Sequence, residues 1–470
     1  MENTGNGTPR YQNPRRRRRS PLRRFLDAYA PTLLIGVAVI LFIIFVVGSI
    51  SRSNARREEA RQSSIAAYES SVQLQAEQEL EAAALAAQAQ ELANSYDYDG
   101  AIALIDNFSG NMYDFDYLLN IRDNCIQAKD KLVAWSDPSQ VVNLSFHLLL
   151  HDPVRAYADK DYAASYRWNF VTTSEFSAIL EQLYNNGYVL VGLDDVIAFP
   201  SEDGGAYAAK TIYLPEGKKP FMLTQTQVNY YTYMTDGDGD GLPDAQGDGF
   251  ASRLILENGD LTCEYIDTSG NKSTGEYDLI PILEHFIKEH PGFTYQGARA
   301  TLAVSGYDGL FGYRTDPETA SKISPQYYEQ ELTELPKIVN ALRDKGYLIA
   351  SYTYGNSAYG KLSAKRLKEE MILWENEVET LLGEVDILAF AKDSDISAEK
   401  DAYRGEKFNA LRDAGFSCFL GYCTDSTPWA TLANDHVRIG RLMVTGNNLK
   451  NNAKLFDGLF DVAAVIDQNR

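Results

Sequence analysis

Four times in this chain a helical run closes on a glycine and passes into an apolar strand: at Gly187 before Tyr188, Gly346 before Tyr347, Gly383 before Asp386 and Gly415 before Phe416. Glycine ends helices well because it adopts the left-handed conformation at little steric cost. Strands that are apolar along their whole length are buried on both faces, and repeated helix–strand units of that kind build parallel sheets or barrels. Local signals around the first unit agree. Thr172 and Glu175 have capping-box spacing, and Phe176, Ile179, Leu180 and Leu183 make one apolar face. Residues 142–150 read as a buried strand before that helix, and residues 188–193 as one after it. The predicted class is α/β.

Only the chain beyond Trp135-Ser-Asp-Pro138 carries this grammar. Residues 1–30 hold eight arginines (Arg10, Arg15 to Arg19, Arg23, Arg24) against Glu2 and Asp27, a net charge of +6, whereas the whole chain carries −21. So acidic a remainder argues against a nucleic-acid partner, which needs a basic face. Residues 31–50 carry no charge and suffice to span a bilayer; the arginines before them place the N-terminus in the cytoplasm and the rest outside. The expectation is a single-pass cell-membrane protein with a basic cytoplasmic tail (1–30) and an uncleaved transmembrane helix (31–50). A helical stalk (51–95) follows, with an apolar stripe at Leu74, Leu80, Leu85 and Leu92; a coiled coil is one reading, but the stripe is too rich in alanine to fix an oligomeric state. Residues 96–135 read as a helical spacer like one tetratricopeptide pair, packed on the stalk because a lone pair builds no solenoid. Cys418 and Cys423 read as buried free thiols, with a disulfide between them as the alternative.

Chemistry-bearing motifs fall in the main region, 136–470. The segment Ala350-Ser-Tyr-Thr-Tyr-Gly-Asn356 follows a helix and a short strand. It resembles the zinc-binding segment of polysaccharide deacetylases (the NodB homology, carbohydrate esterase family 4-like group), where A-S-H-T-x-x-H supplies two histidines. Leu223-Thr-Gln-Thr-Gln227 resembles the strand that in this family ends in a base aspartate and a ligand aspartate. Phe390-Ala-Lys-Asp393 stands where close relatives have Y-P-F-G. The resemblance covers roughly residues 141–461, and the stretch 96–105 is similar to that of membrane-anchored clostridial members. It implies a distorted (β/α)7 barrel with substrate at the strand C-termini.

It also implies that the chemistry is gone. By the family pattern, Thr226 replaces the base aspartate, Gln227 the ligand aspartate, and Tyr352 and Asn356 the two histidines. A threonine hydroxyl has no accessible pKa near neutrality, so it cannot serve as a general base. Neutral amides and a phenol are poor zinc ligands compared with imidazole, thiolate or carboxylate, so zinc is not expected. The reading is a catalytically inactive protein that binds or organises cell-envelope glycan, with Tyr230, Tyr231, Tyr352, Tyr354, Trp374 and Asp393 as groove candidates. Two alternatives stand beside it. One is an active, metal-dependent carbohydrate or peptidoglycan N-deacetylase, a hydrolase of carbon–nitrogen bonds with a rebuilt site; the other is an envelope scaffold for a protein partner.

An acidic insertion, 235–248, carries Asp236-Gly-Asp-Gly-Asp-Gly-Leu-Pro-Asp244. Its spacing is that of calcium loops in thrombospondin-like repeats, with Asp236, Asp238, Asp240 and Asp244 as oxygen ligands and Asp248 to complete the shell. The competing reading is a flexible acidic hairpin tip. A relocated hydrolytic site would draw on His147 and His151, His285 and His290, His436, Asp393 and Asp395. His147 reads instead as a satisfied barrel histidine, and the aspartates lack histidine company.

Overall fold

The computed structural model describes residues 55–200 and 206–470. The arginine tail and the apolar segment 31–50 lie outside the described residues; among those described, no helix is long and apolar enough to cross a membrane. The core of the molecule is a closed barrel of seven parallel strands: β1 Val142–Phe146, β2 Lys219–Thr226, β3 Thr301–Val304, β4 Leu348–Ser351, β5 Ile387–Ala389, β6 Cys418–Tyr422 and β7 Val437–Met443. Each strand pairs with the next in the chain, and β7 pairs with β1 to close the circle. The expected (β/α)7 barrel is thus present, with two distortions. Tyr188–Leu190 pairs with the first half of β2, leaving β3 only the last half. The β4–β5 seam is a single registered pair, Ser351 with Leu388.

Helices wrap the outside: α1 Thr173–Asn185, α2 Leu279–Glu289, α3 Pro325–Lys345, α4 Ala364–Leu373 and α5 Glu406–Asp413. The capping box at Thr172 and Glu175 forms in full, and Gly346 closes α3 in the left-handed conformation. Period-2 alternation sorts the strand residues into two cores. Leu144, Phe146, Leu223, Leu302, Ile349, Leu388, Phe419 and Leu442 face the helices. Met222, Ala303, Ala350, Ala389, Cys418, Leu420, Val437 and Ile439 fill the interior.

Two strands are shorter than their apolar runs suggest. After Phe146 the chain leaves the ladder, and the Leu149 amide donates to Asp278 instead of to a neighbouring strand. After Leu190, Gly192 caps the short helix Leu193–Val196 through the Asp195 carboxylate.

The segment ahead of the barrel is a helix, Ala55–Asn94, with Tyr98–Asp106 and Asp116–Lys129 packed on it. Its seam is centred on Ala82 and Ala89 against Ala101, Ile105 and Leu118, with Leu85 and Leu92 at the margin and Leu74 exposed. Small side chains bring the helices close. The helix end docks under the barrel: the Tyr96 hydroxyl donates to the Gly292 carbonyl at 2.6 Å, and the Gln296 amide to Ser95 at 2.8 Å. Gly292 and Gln296 lie just ahead of β3, so this attachment is at the N-terminal end of the strands, opposite the end that carries the motif residues.

Candidate functional site

Thr226 is the last residue of β2, Gln227 follows it, and Tyr352 and Asn356 follow β4, so all four motif positions stand at the C-terminal mouth of the barrel. His147 joins them from the end of β1. Its Nδ1 shares a 2.7 Å hydrogen bond with Thr226 Oγ1, and its ring lies 6.4 Å from that of Tyr352. Burial first and the nearby Arg441 charge second push the His147 pKa down to about 4, so the imidazole is neutral at physiological pH.

The backbone around these residues is contorted. Gln227, Tyr230, Thr353, Asn356, Lys392 and Asp393 all have positive φ, between 49° and 63°, which non-glycine residues adopt rarely and at some cost. Asn229 ties two of the loops together: its side chain donates to the Ser305 carbonyl at 2.8 Å and accepts from the Ser305 amide at 3.0 Å.

The donor set does not fit zinc. Gln227 Oε1 and Asn356 Oδ1 are buried without a hydrogen-bond partner, but both are neutral amide oxygens. Burial raises the Tyr352 phenol pKa, with Arg441 opposing, so it stays protonated. His147, the one imidazole here, has Nδ1 on Thr226 and so offers a single nitrogen, Nε2. Nothing in this group supplies the anionic or multiple imidazole ligands that a zinc site requires.

Most groove candidates turn out to be core. Tyr230 and Tyr231 are fully buried, their hydroxyls bonded to Asp278 at 2.7 Å and Ser305 at 3.0 Å. Trp374 is fully buried against Phe416 at a π-helical turn, Trp374–Glu379, with its indole N–H on Glu379. Tyr352 is buried between His147 and Tyr422. These rings carry large apolar areas, and each polar tip finds a partner inside, so burial wins over exposure. Tyr354 is half-buried with its hydroxyl 2.5 Å from Glu377 Oε2, and Asp393 is exposed at the mouth, its pKa raised by desolvation against the pull of Arg441.

In the acidic insertion, single carboxylate oxygens of Asp236, Asp238 and Asp244 lie within 4.8 Å of one another. Asp240 and Asp248 are outside that group. Asp240 accepts from the Leu242 amide, and Asp248 accepts from the Tyr166 hydroxyl at 2.5 Å.

The scattered titratable groups do not assemble into a second site. His151 packs on Tyr265 and Tyr277, His285 lies beside Glu276 and Glu289, His290 stacks on Tyr184, and His436 stacks on Tyr403. Asp395 is held by Arg438 at 2.9 Å and Tyr403 at 2.6 Å. All four cysteines are free thiols.

No protein-family model matches this chain, and no curated protein sequence does. Among solved structures it is similar to the Streptococcus pyogenes deacetylase PplD in complex with acetate, at 11% identity and a TM-score of 0.36, over 68% of this chain and 98% of that one. A second likeness is to a de-N-acetylase from Aggregatibacter actinomycetemcomitans, at 10% identity and a TM-score of 0.23, over 68% and 99%. Likenesses this distant decide neither fold nor chemistry; the fold rests on the barrel's own closed register.

Two residues that sequence reading passed over organise the mouth. Arg441 points into the barrel from β7, fully buried, donating to the Phe390 carbonyl at 2.7 Å and the Gly421 carbonyl at 3.3 Å, with its guanidinium 4.6 Å over the Tyr422 ring. Tyr422 in turn donates to Phe390. The available signal was position: Arg441 shares its strand parity with the interior residues Val437 and Ile439.

Proposed function

We propose that this chain is a catalytically inactive relative of polysaccharide deacetylases that binds cell-envelope glycan at the mouth of its barrel. The observation that carries this reading is the Thr226–His147 hydrogen bond, a neutral pair standing where the family resemblance calls for a base aspartate beside a metal. Gln227, Tyr352 and Asn356 support it, since they add no charged ligand. The proposed topology has residues 31–50 in the membrane and the barrel outside. A helix of 40 residues spans roughly 60 Å, and its attachment at the strand N-termini would turn the mouth away from the bilayer. We also place calcium in the loop at Asp236, Asp238 and Asp244, where a hard cation would relieve three converging carboxylates.

The test pairs two assays on the full-length protein. Retention on purified cell wall, with no acetate released from N-acetylated oligosaccharides in the presence of zinc, is the expected result. Acetate release would establish the active-enzyme alternative; absence of retention would favour the scaffold. For the loop, calcium is expected to raise the melting temperature and a chelator to reverse it.

A further inference from the structure

Three loops at the barrel mouth bring tyrosines to one exposed face. Tyr162 precedes the helix Ala163–Asn169, Tyr233 lies in the turn Thr232–Thr235 after β2, and Tyr307 follows β3. They are 42%, 37% and 46% exposed, unusual for large rings that also touch one another. The Tyr162 and Tyr233 rings are 5.3 Å apart, and buried Tyr231 lies beneath, stacked on Tyr233 at 5.7 Å and 5.7 Å from Tyr307. With its hydroxyl on Ser305, Tyr231 is a buried floor for the two exposed rings beside it.

This face is bordered by carboxylates. Burial first, then Tyr162 and Tyr307, then Asp308 and Asp248 raise the Tyr233 phenol; burial first, then Asp308, Glu318 and Asp316 raise that of Tyr307. Asp308 is satisfied, accepting from Thr232 and Thr319. Asp316 is not. It is 8% exposed, its Oδ1 caps the Pro317–Ala320 turn, and its Oδ2 has no hydrogen-bond partner. That oxygen is buried, so Asp316 acts on the face through its charge, which reaches the Tyr307 hydroxyl. The nearby cations are Arg314, buried and donating to the Tyr230 and Asp308 carbonyls and the Thr235 hydroxyl, Arg155, donating to backbone carbonyls, and the exposed Lys160 and Lys322 of the Tyr162 and Asp316 segments. Asp308, Asp248, Asp316, Glu318, Asp159 and Asp161 outnumber these cations, so the face carries a net negative charge over aromatic rings, the combination that favours a substituted ammonium over a neutral group.

We infer that the Tyr162–Tyr233–Tyr307 face is a subsite for an amino sugar whose nitrogen is unacetylated, the sugar stacking on the tyrosines and its ammonium drawn to the Asp316 side. This rests on the glycan-binding reading and narrows it: an acetamide carries no charge, so acetylation would remove the cation–π and carboxylate interactions while leaving the stacking.

The experiment is calorimetric titration of the full-length protein with a glucosamine hexasaccharide, its fully N-acetylated counterpart, and a lysine hexapeptide. The glucosamine oligomer is expected to bind at least about tenfold tighter than the acetylated one. Tyr233→Ala and Tyr307→Ala should each weaken it about tenfold. Asp316→Asn, nearly the same shape, should narrow the preference without weakening the acetylated oligomer. Equal binding of the two sugars would overturn ammonium recognition and leave the glycan reading standing. Binding of neither would overturn the glycan reading itself. A lysine peptide binding as tightly as the glucosamine oligomer would overturn the assignment to sugar.

Discussion

His147 Nδ1 and Thr226 Oγ1 stand 2.7 Å apart at the mouth of the barrel, and neither residue carries charge near neutrality. Burial keeps the imidazole neutral and threonine does not ionise, so this hydrogen bond joins two uncharged groups. A carboxylate in place of the threonine would favour the imidazolium. Thr226→Asp is therefore predicted to raise the His147 pKa from about 4 toward its ordinary 6.5, readable by NMR titration of the imidazole. An unchanged pKa would mean that desolvation alone sets it.

Asp278 lies between β2 and α2, wholly buried, accepting from Leu149, Gln225 and Tyr230. Burial raises its pKa from 3.8 to about 6, with those hydrogen bonds opposing. Because the folded state holds this proton more tightly than the unfolded chain, the contribution is fully present below the unfolded value and is lost as pH rises through about 6. Stability should fall across that window by about 3 kcal/mol from this group. Urea unfolding from pH 4 to 7 should show the decline, and Asp278→Asn should flatten it; an identical slope in the variant would contradict the assignment.

Much of the fold was legible because its signals are local. The glycine after α3 and the capping box of α1 need only neighbours in the chain, and both form as the sequence predicts. Strand ends were less legible: Leu148 to Leu150 are as apolar as β1, but a hydrogen bond to Asp278, 129 residues away, takes Leu149 out of the ladder. The site divides in the same way. Motif spacing placed Thr226 and Tyr352 at the mouth, whereas composition could not tell the buried rings of Tyr230 and Tyr231 from the exposed one of Tyr233. That distinction depends on partners such as Asp278 and Ser305, which only the tertiary fold supplies.

Arg470 reaches back to the start of α1, where its guanidinium binds both oxygens of Glu175 and the Arg167 carbonyl. Both side chains are 1% exposed. Removing the cation would leave a buried carboxylate supported only by the Thr172 and Asp467 amides. Arg470→Ala is predicted to cost about 3–5 kcal/mol, the usual penalty for breaking a buried pair. Chemical denaturation measures it directly; a loss below about 1 kcal/mol, the range of surface pairs, would show the bridge to be solvated.

The most direct test of the central claim, that the barrel mouth has given up its transition-metal chemistry, is elemental analysis of the full-length protein after zinc exposure and exhaustive dialysis. The account predicts no retained zinc, because Gln227, Tyr352 and Asn356 offer only neutral oxygens and His147 is a single imidazole, where a zinc site draws on three or four imidazole, thiolate or carboxylate ligands. One tightly held zinc per chain, lost on replacing His147, would contradict it.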